Sequence, residues 1–236
     1  MKKIQAILYK ELSYYFKSPM AYIILFLTIT TFNIFFYLII DHNQEATLSD
    51  VFRLMEFLYI FIIPLLTMRS FAEENQHGTM EFLMTTPTSN MTIVLGKFFG
   101  VLCFYSVMIG ITFFYYLLLR LFSPIGLVES LAGYCGLWLE GALFIAVGIL
   151  ISSLTRNQII AALGTYLFIF FLYFSMSFDK FVDGRLEIAL KYMSSLSHAE
   201  NFTVGIVTLG DVVYYLSGIV LALILTRIMI EKRMWR

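Results

Sequence analysis

Most side chains that could organise chemistry stand apart from one another. His42, His77 and His198 fall in three separate stretches, and Cys103 and Cys135 lie inside apolar runs with no His or second Cys at ligand spacing. Both cysteines read as reduced packing residues, and the sequence offers no metal site. Glu73-Glu74 is a carboxylate pair of the kind some intramembrane proteases use, but Gly78 stands where their pattern requires Arg. A phosphate-binding loop needs G-x-x-x-x-G-K followed by Ser or Thr. The one Gly-Lys pair, Gly96-Lys97, is followed by Phe98, and Met91 replaces the first glycine. With no H-E-x-x-H motif either, the chain is not expected to be an enzyme. ATP hydrolysis, if it drives this protein, has to come from another subunit.

Glu140 is the side chain whose setting is unusual. It stands near the middle of a long apolar run, where a charge costs on the order of 2.5–3.5 kcal/mol by insertion scales and where such residues face protein or water. Gly133 and Gly136 share its helix face. As a functional residue it would line a substrate pathway or gate. As a structural one it would be a protonated or hydrogen-bonded carboxyl against a neighbouring helix, and the sequence leaves both readings open.

The elements that must position these residues are membrane helices. The chain is 60% apolar and 14% charged, with a mean hydropathy of +0.83, which excludes a soluble domain. Lys plus Arg balance Asp plus Glu at 16 each, yet the charges gather in short stretches between apolar runs. A span needs about twenty apolar residues, and the runs 20–40, 51–68, 98–119, 131–152, 159–178 and 212–230 qualify. The first is too long for a signal-peptide core of roughly 7–15 residues and is expected to be retained. The second is the weakest, since Pro64 interrupts it and Arg53 and Glu56, three apart on one face, would pair near the membrane surface.

Basic residues set the orientation. A cytoplasmic N-terminus puts Lys2, Lys3, Lys10, Lys17, Arg69, Lys97, Arg156, Arg227, Lys232, Arg233 and Arg236 inside, against Arg53, Arg120, Lys180, Arg185 and Lys191 outside. The first outer loop carries Asp41, Glu45 and Asp50 and no Lys or Arg. Both termini are then expected on the cytoplasmic side, which requires an even number of spans. Residues 1–19 alternate Ile4, Ile7, Leu8, Leu12, Tyr15 and Phe16 with Lys and polar residues at helical spacing, which predicts an interfacial amphipathic helix. Residues 69–97 form a long cytoplasmic segment divided by Gly78 and Pro87. In the outer segment 179–211, an apolar stripe of Leu186, Ala189, Leu190, Met193 and Leu196 predicts a helix packed on the membrane face. Small residues mark close helix contacts in lipid, and Gly96, Gly100, Cys103 and Gly110 on one run and Gly133, Gly136, Gly141 and Gly148 on another are candidates.

The stretch Phe71-Ala72-Glu73-Glu74-Asn75-Gln76-His77-Gly78-Thr79-Met80-Glu81-Phe82-Leu83-Met84-Thr85-Thr86-Pro87, followed by Ile93-Val94-Leu95-Gly96-Lys97, resembles the hallmark segment of ABC-2 type permeases. Within them it is similar to the gliding-motility-associated branch, close to the copper-processing permease of nitrous oxide reductase operons. The likeness extends to Lys10-Glu11 through Ser18-Pro19, to Ser152-Ser153-Leu154-Thr155-Arg156-Asn157-Gln158, and to Leu196-Ser197-His198 through Asn201-Phe202, Gly205, Asp211 and Tyr214-Tyr215-Leu216-Ser217.

The resemblance implies an all-α fold, one transmembrane domain over 1–236, with six spans, an interfacial helix and a cytoplasmic coupling helix. It also implies a division of labour in which two copies of a separate ATPase bind ATP and Mg, so this chain needs no cofactor of its own. A second permease copy or a related permease would complete a dimer. The coupling helix would dock on the ATPase through Gly78, Thr79, Met80, Glu81, Leu83 and Met84, with Met side chains as adaptable contacts and Thr79 as cap. The remaining signature residues are Phe71, Glu73, Glu74, Pro87, Gly96, Lys97, Thr155, Asn157 and Gln158. The expected function is an exporter permease; the alternative is a membrane scaffold or assembly component with the same fold. Membrane lipid is an expected partner, as is an accessory outer-face protein, and nucleic acid is not.

Overall fold

The computed structural model describes residues 2–43, 48–79, 89–122, 125–181 and 184–234. Among the described residues the regular structure is helical throughout, with no strand. A chain this apolar has to satisfy its backbone within each segment, and helices do so. The order is α1 (Lys2–Lys17), α2 (Pro19–Asn43), α3 (Ser49–Thr67), α4 (Ala72–His77), α5 (Asn90–Phe122), α6 (Leu127–Leu154), α7 (Gln158–Phe174), a 3-10 turn (Ser175–Phe181), α8 (Arg185–Met193), α9 (Ser195–Thr203) and α10 (Leu209–Met234). Among the described residues six helices are long and apolar enough to cross a membrane: α2, α3, α5, α6, α7 and α10. The protein is a multi-pass membrane protein.

Helix α6 is the axis of the bundle. Its most apolar window is 78% buried, against 17% for α2 and 33% for α7 and α10, and it packs on α10, α3, α9, α7 and α5. Its glycines explain how so many neighbours approach. A Cβ on Gly133 would strike the Phe52 ring, on Gly136 the Phe202 ring, on Gly141 the Tyr105 ring, and on Gly148 the Thr67 side chain. Helices in lipid gain stability from such close contact and not from escaping water.

The α5 stripe behaves differently. Gly96 and Gly100 face Ile7 and Glu11 of the interfacial helix α1, not another span, and Gly110 has nothing against it. Cys103 and Cys135 are exposed on the outside of their helices, so they do not pack the core as their apolar setting suggested. Pro64 does not interrupt α3. It falls in the last turn, where Met68 N–H still reaches its carbonyl at 2.9 Å and the Thr67 hydroxyl donates to Ile63 O at 3.0 Å. In the outer segment α8 buries none of its residues, whereas α9 sinks Ser195, His198, Ala199 and Phe202 into the bundle. Gly136 leaves the room in α6 that Phe202 fills.

Candidate functional site

Helix α4 is six residues long, too short to persist alone. Its ends are held from elsewhere. The Ser152 hydroxyl, at the end of α6, accepts the Phe71 and Ala72 amides, both at 3.0 Å, and donates to Met68 O at 3.1 Å. It thus acts as an N-cap supplied by another helix. Asn75 Nδ2 donates to Thr155 O at 3.0 Å in the α6–α7 turn. Asn157 then caps α7, its side chain accepting from the Ile159 amide at 2.8 Å. The far end of α4 closes at Gly78, whose φ of +68° is left-handed and suits a residue without Cβ. The Thr79 amide returns to Glu74 O at 3.1 Å. Gly78 therefore ends a helix, as its sequence position suggests. Met80, Glu81, Leu83, Met84 and Pro87 lie outside the described residues.

The second half of the site is built around Lys97. The sequence placed Lys97 at the end of the cytoplasmic segment 69–97; α5 begins at Asn90, after Ser89, whose hydroxyl accepts the Thr92 amide at 3.3 Å. Lys97 therefore projects from the second turn of a helix. It is 2% exposed, and its ammonium lies 3.0 Å from both Glu11 of α1 and Glu74 of α4. The ring of Phe71 lies under it, 5.1 Å to the centroid. Lys10 adds a second, exposed contact to Glu74 at 3.4 Å. One cation thus ties α1, α4 and α5 together, and the two glycines at 96 and 100 let α1 come close enough for Glu11 to reach it.

Next to this knot a cavity of about 770 Å3 opens between α1, the α3–α4 turn and α4. Tyr14 crosses its wall, donating to Glu73 at 3.0 Å and accepting from Arg69 at 3.4 Å. Burial, opposed by the Arg69 guanidinium and reinforced by the Glu73 carboxylate, holds the Tyr14 phenol above its ordinary value, so it remains a donor at neutral pH. Tyr15, fully buried, donates to Leu66 O at 2.8 Å and fastens α1 to α3. Among the described residues no group of three or more His, Cys, Asp or Glu is placed to hold a metal ion.

The short capped helix, its neighbouring turn and the leading helix are the same segments that carry the sequence likeness. Residues 5–225 match the model of the ABC-2 family transporter proteins. The chain belongs to that family. No curated protein matches it closely enough to narrow the assignment. As an ABC-2 permease it is a membrane transport component, and the six-helix, all-α architecture is that of the family.

In this permease Phe71, Glu73, Glu74, Lys97 and Thr155 come together at α4, Gly96 faces α1, Asn157 caps α7 and Gln158 opens it, while Glu140 lies elsewhere. Glu140 is 1% exposed and accepts from the Ser195 hydroxyl of α9 at 2.7 Å; Tyr215 of α10 donates to Ser195 O at 3.0 Å. The structure therefore gives Glu140 a hydrogen-bonded place. Glu56 is also 1% exposed and within electrostatic range of Glu140, whereas Arg53 points outward. Glu56 turns inward where α9 covers this end of α3, with Arg53 still within electrostatic range of it. One oxygen each of Glu56 and Glu140 is buried without a partner. The face shared by Phe52, Glu56, Tyr59 and Ile63 was the signal that could have found Glu56. Nearby, Asp211 gathers His198 at 2.7 Å, Asn201 at 2.8 Å and Thr208 at 2.6 Å, joining motif residues of α9 and α10.

Sequence reasoning missed Glu11 and Ser152 as site residues. Each makes its contact across more than eighty positions of chain, a separation at which no local pattern operates.

Proposed function

We propose that this permease is the membrane half of an ATP-driven exporter, worked by a separate ATPase that grips the segment Gly78, Thr79, Met80, Glu81, Leu83 and Met84. The observation that carries the reading is the way α4 is fastened. One short helix is bonded to α1 and α5 through Lys97 and to the α6–α7 turn through Ser152 and Asn75, and it ends at the left-handed Gly78 immediately before that segment. A force that reaches α4 through Gly78 would be passed on to α1, α5, α6 and α7 through these bonds.

On this reading ATP and Mg are bound by two ATPase subunits, and two permease chains form the transporter. The sparsely buried faces of α2, α7 and α10 are available to lipid and to a second copy. The excess of Lys and Arg on the terminal side favours a bacterial cytoplasmic membrane with both termini inside. Sequence likeness favours the gliding-motility-associated and copper-processing branch.

The test is to purify the chain with the ATP-binding protein produced alongside it and to measure its ATPase activity. Gly78→Pro, which cannot adopt the left-handed turn, and Glu81→Lys should release the ATPase or abolish its stimulation. A complex that survives both changes with full activity refutes the docking assignment.

A further inference from the structure

Helix α8 buries none of its residues, so its attachment rests largely on the carbonyls of its last turn, which a helix cannot satisfy internally. Each of those four carbonyls meets a side chain from another element. Ser175 donates to Leu190 O at 3.1 Å, Ser197 of α9 to Lys191 O at 2.8 Å, and Tyr214 of α10 to Met193 O at 2.7 Å. Tyr192 O is met at 3.1 Å by His198 Nε2 of α9. Three of these donors are hydroxyls, and the fourth is an imidazole.

The other ring nitrogen decides the charge. Nδ1 lies 2.7 Å from Asp211, whose carboxylate also takes Asn201 at 2.8 Å and Thr208 at 2.6 Å. A backbone carbonyl only accepts hydrogen bonds, and so does a carboxylate. A neutral imidazole carries one N–H and one lone pair, so it satisfies one of these neighbours and turns a lone pair on the other. Only the doubly protonated ring donates to both. Its charge faces the negative end of the α8 macrodipole and is balanced by Asp211. The two side chains are 11% and 7% exposed, which leaves little water to replace a lost bond.

The other titratable groups around the ring are phenols, or charges engaged elsewhere. Tyr192 and Tyr215 make T-shaped contacts with it at 5.4 and 6.5 Å, and Tyr214 stacks on it at 4.0 Å. Glu140 of α6 is bonded to Ser195; Glu56 and Arg53 of α3, Glu200 of α9 and Tyr173 of α7 group with it. Glu187 and Lys191 of α8 pair with each other. Among the described residues, Asp211 is the carboxylate in contact with His198.

We infer that His198 is a proton-operated clasp for α8. Protonated, it ties the end of α8 to Asp211 of α10. On losing its proton it keeps the bond to the carboxylate, presents a lone pair to Tyr192 O and loosens the last turn of α8, while Ser195, Ala199 and Phe202 keep α9 in the bundle. The docked form holds the proton more tightly than the loosened form, so docking is complete at low pH and is lost as pH rises. The clasp lies at the far end of α7 from α4 and does not depend on ATPase docking.

The test follows amide hydrogen exchange by mass spectrometry on the purified full chain in neutral detergent, from about pH 5 to 8, where histidine changes charge. Rates are referred to those of an unstructured chain at each pH. Protection of α8 should fall as pH rises, by at most about tenfold per pH unit, the limit for one proton. The whole loss should be about thirtyfold, the upper end of what a histidine cation contributes at a helix C-terminus, while the spans keep their protection. Asp211→Asn removes the balancing charge and should move the loss to lower pH. His198→Gln, with one nitrogen in place of two, should leave α8 weakly protected at every pH. Nitrogen NMR of the unaltered chain carrying isotope-labelled histidine should show both His198 ring nitrogens protonated wherever α8 is protected, which keeps the test decisive if a variant does not fold. Protection of α8 that does not change with pH, a pH dependence that persists in the His198→Gln chain or is unmoved by Asp211→Asn, or a neutral His198 ring in the docked chain overturns the inference.

Discussion

Replacing Lys97 with Met separates charge from packing at the fastening of α4. Met fills most of the volume of the Lys stem and keeps an apolar contact with Phe71, but removes the ammonium that lies 3.0 Å from both Glu11 and Glu74. Removing one partner of a buried ion pair costs roughly 3–5 kcal/mol, because the remaining charge keeps its desolvation penalty. Here the stranded carboxylates are 10% and 14% exposed, and Lys10 still reaches Glu74. The loss should therefore fall at the low end, about 3 kcal/mol. It is measurable by reversible unfolding in mixed micelles. Adding Glu11→Gln and Glu74→Gln removes the stranded charges and should return stability to within about 1 kcal/mol of the unaltered chain. The triple variant should nevertheless stimulate a bound ATPase poorly, since α1 and α5 no longer follow α4. If Lys97→Met alone costs less than about 1 kcal/mol, or the triple variant is as unstable as the single one, the ion-pair account is wrong.

Three further outcomes follow from individual contacts. Ser152→Ala strands the buried Phe71 and Ala72 amides and should cost about 1–3 kcal/mol, with faster hydrogen exchange confined to α4 and the turn before it. Gly141→Ala drives a methyl into the Tyr105 ring and strains the bond from Tyr105 to Leu137 O; overpacking of about 1–3 kcal/mol should appear in the same unfolding assay. Glu140→Gln keeps an oxygen for the Ser195 hydroxyl and should fold normally, whereas Glu140→Ala leaves that hydroxyl only its longer contact with Tyr215 at 3.4 Å and should destabilise by about 1–3 kcal/mol. If transport by the Glu140→Gln chain is unchanged, the pathway role for this carboxyl is refuted and its place is structural.

Hydropathy located the six crossings because a span has to be apolar along its whole length, a property each segment carries by itself. Helix ends were less legible. The apolar run of α5 begins near Phe98, yet the helix starts at Asn90, since a helix continues past the hydrocarbon until a cap such as Ser89 ends it. Gly78 could be read as a stop because its lack of a Cβ acts locally. Charge spacing set Glu56 near the surface beside Arg53, whereas Glu56 is buried, because the covering of that surface by α9 is a tertiary event.

Local chemistry thus decided that the chain is helical, that it lives in lipid and where its backbone turns near α4. Tertiary structure decided which helix each glycine admits, that Lys97 binds two carboxylates from different helices, and that Ser152 caps a helix eighty positions before it. The difference has a physical origin. Hydropathy and backbone freedom belong to single residues, whereas an ion pair or a cap exists only once distant segments have been brought within about 3 Å of each other.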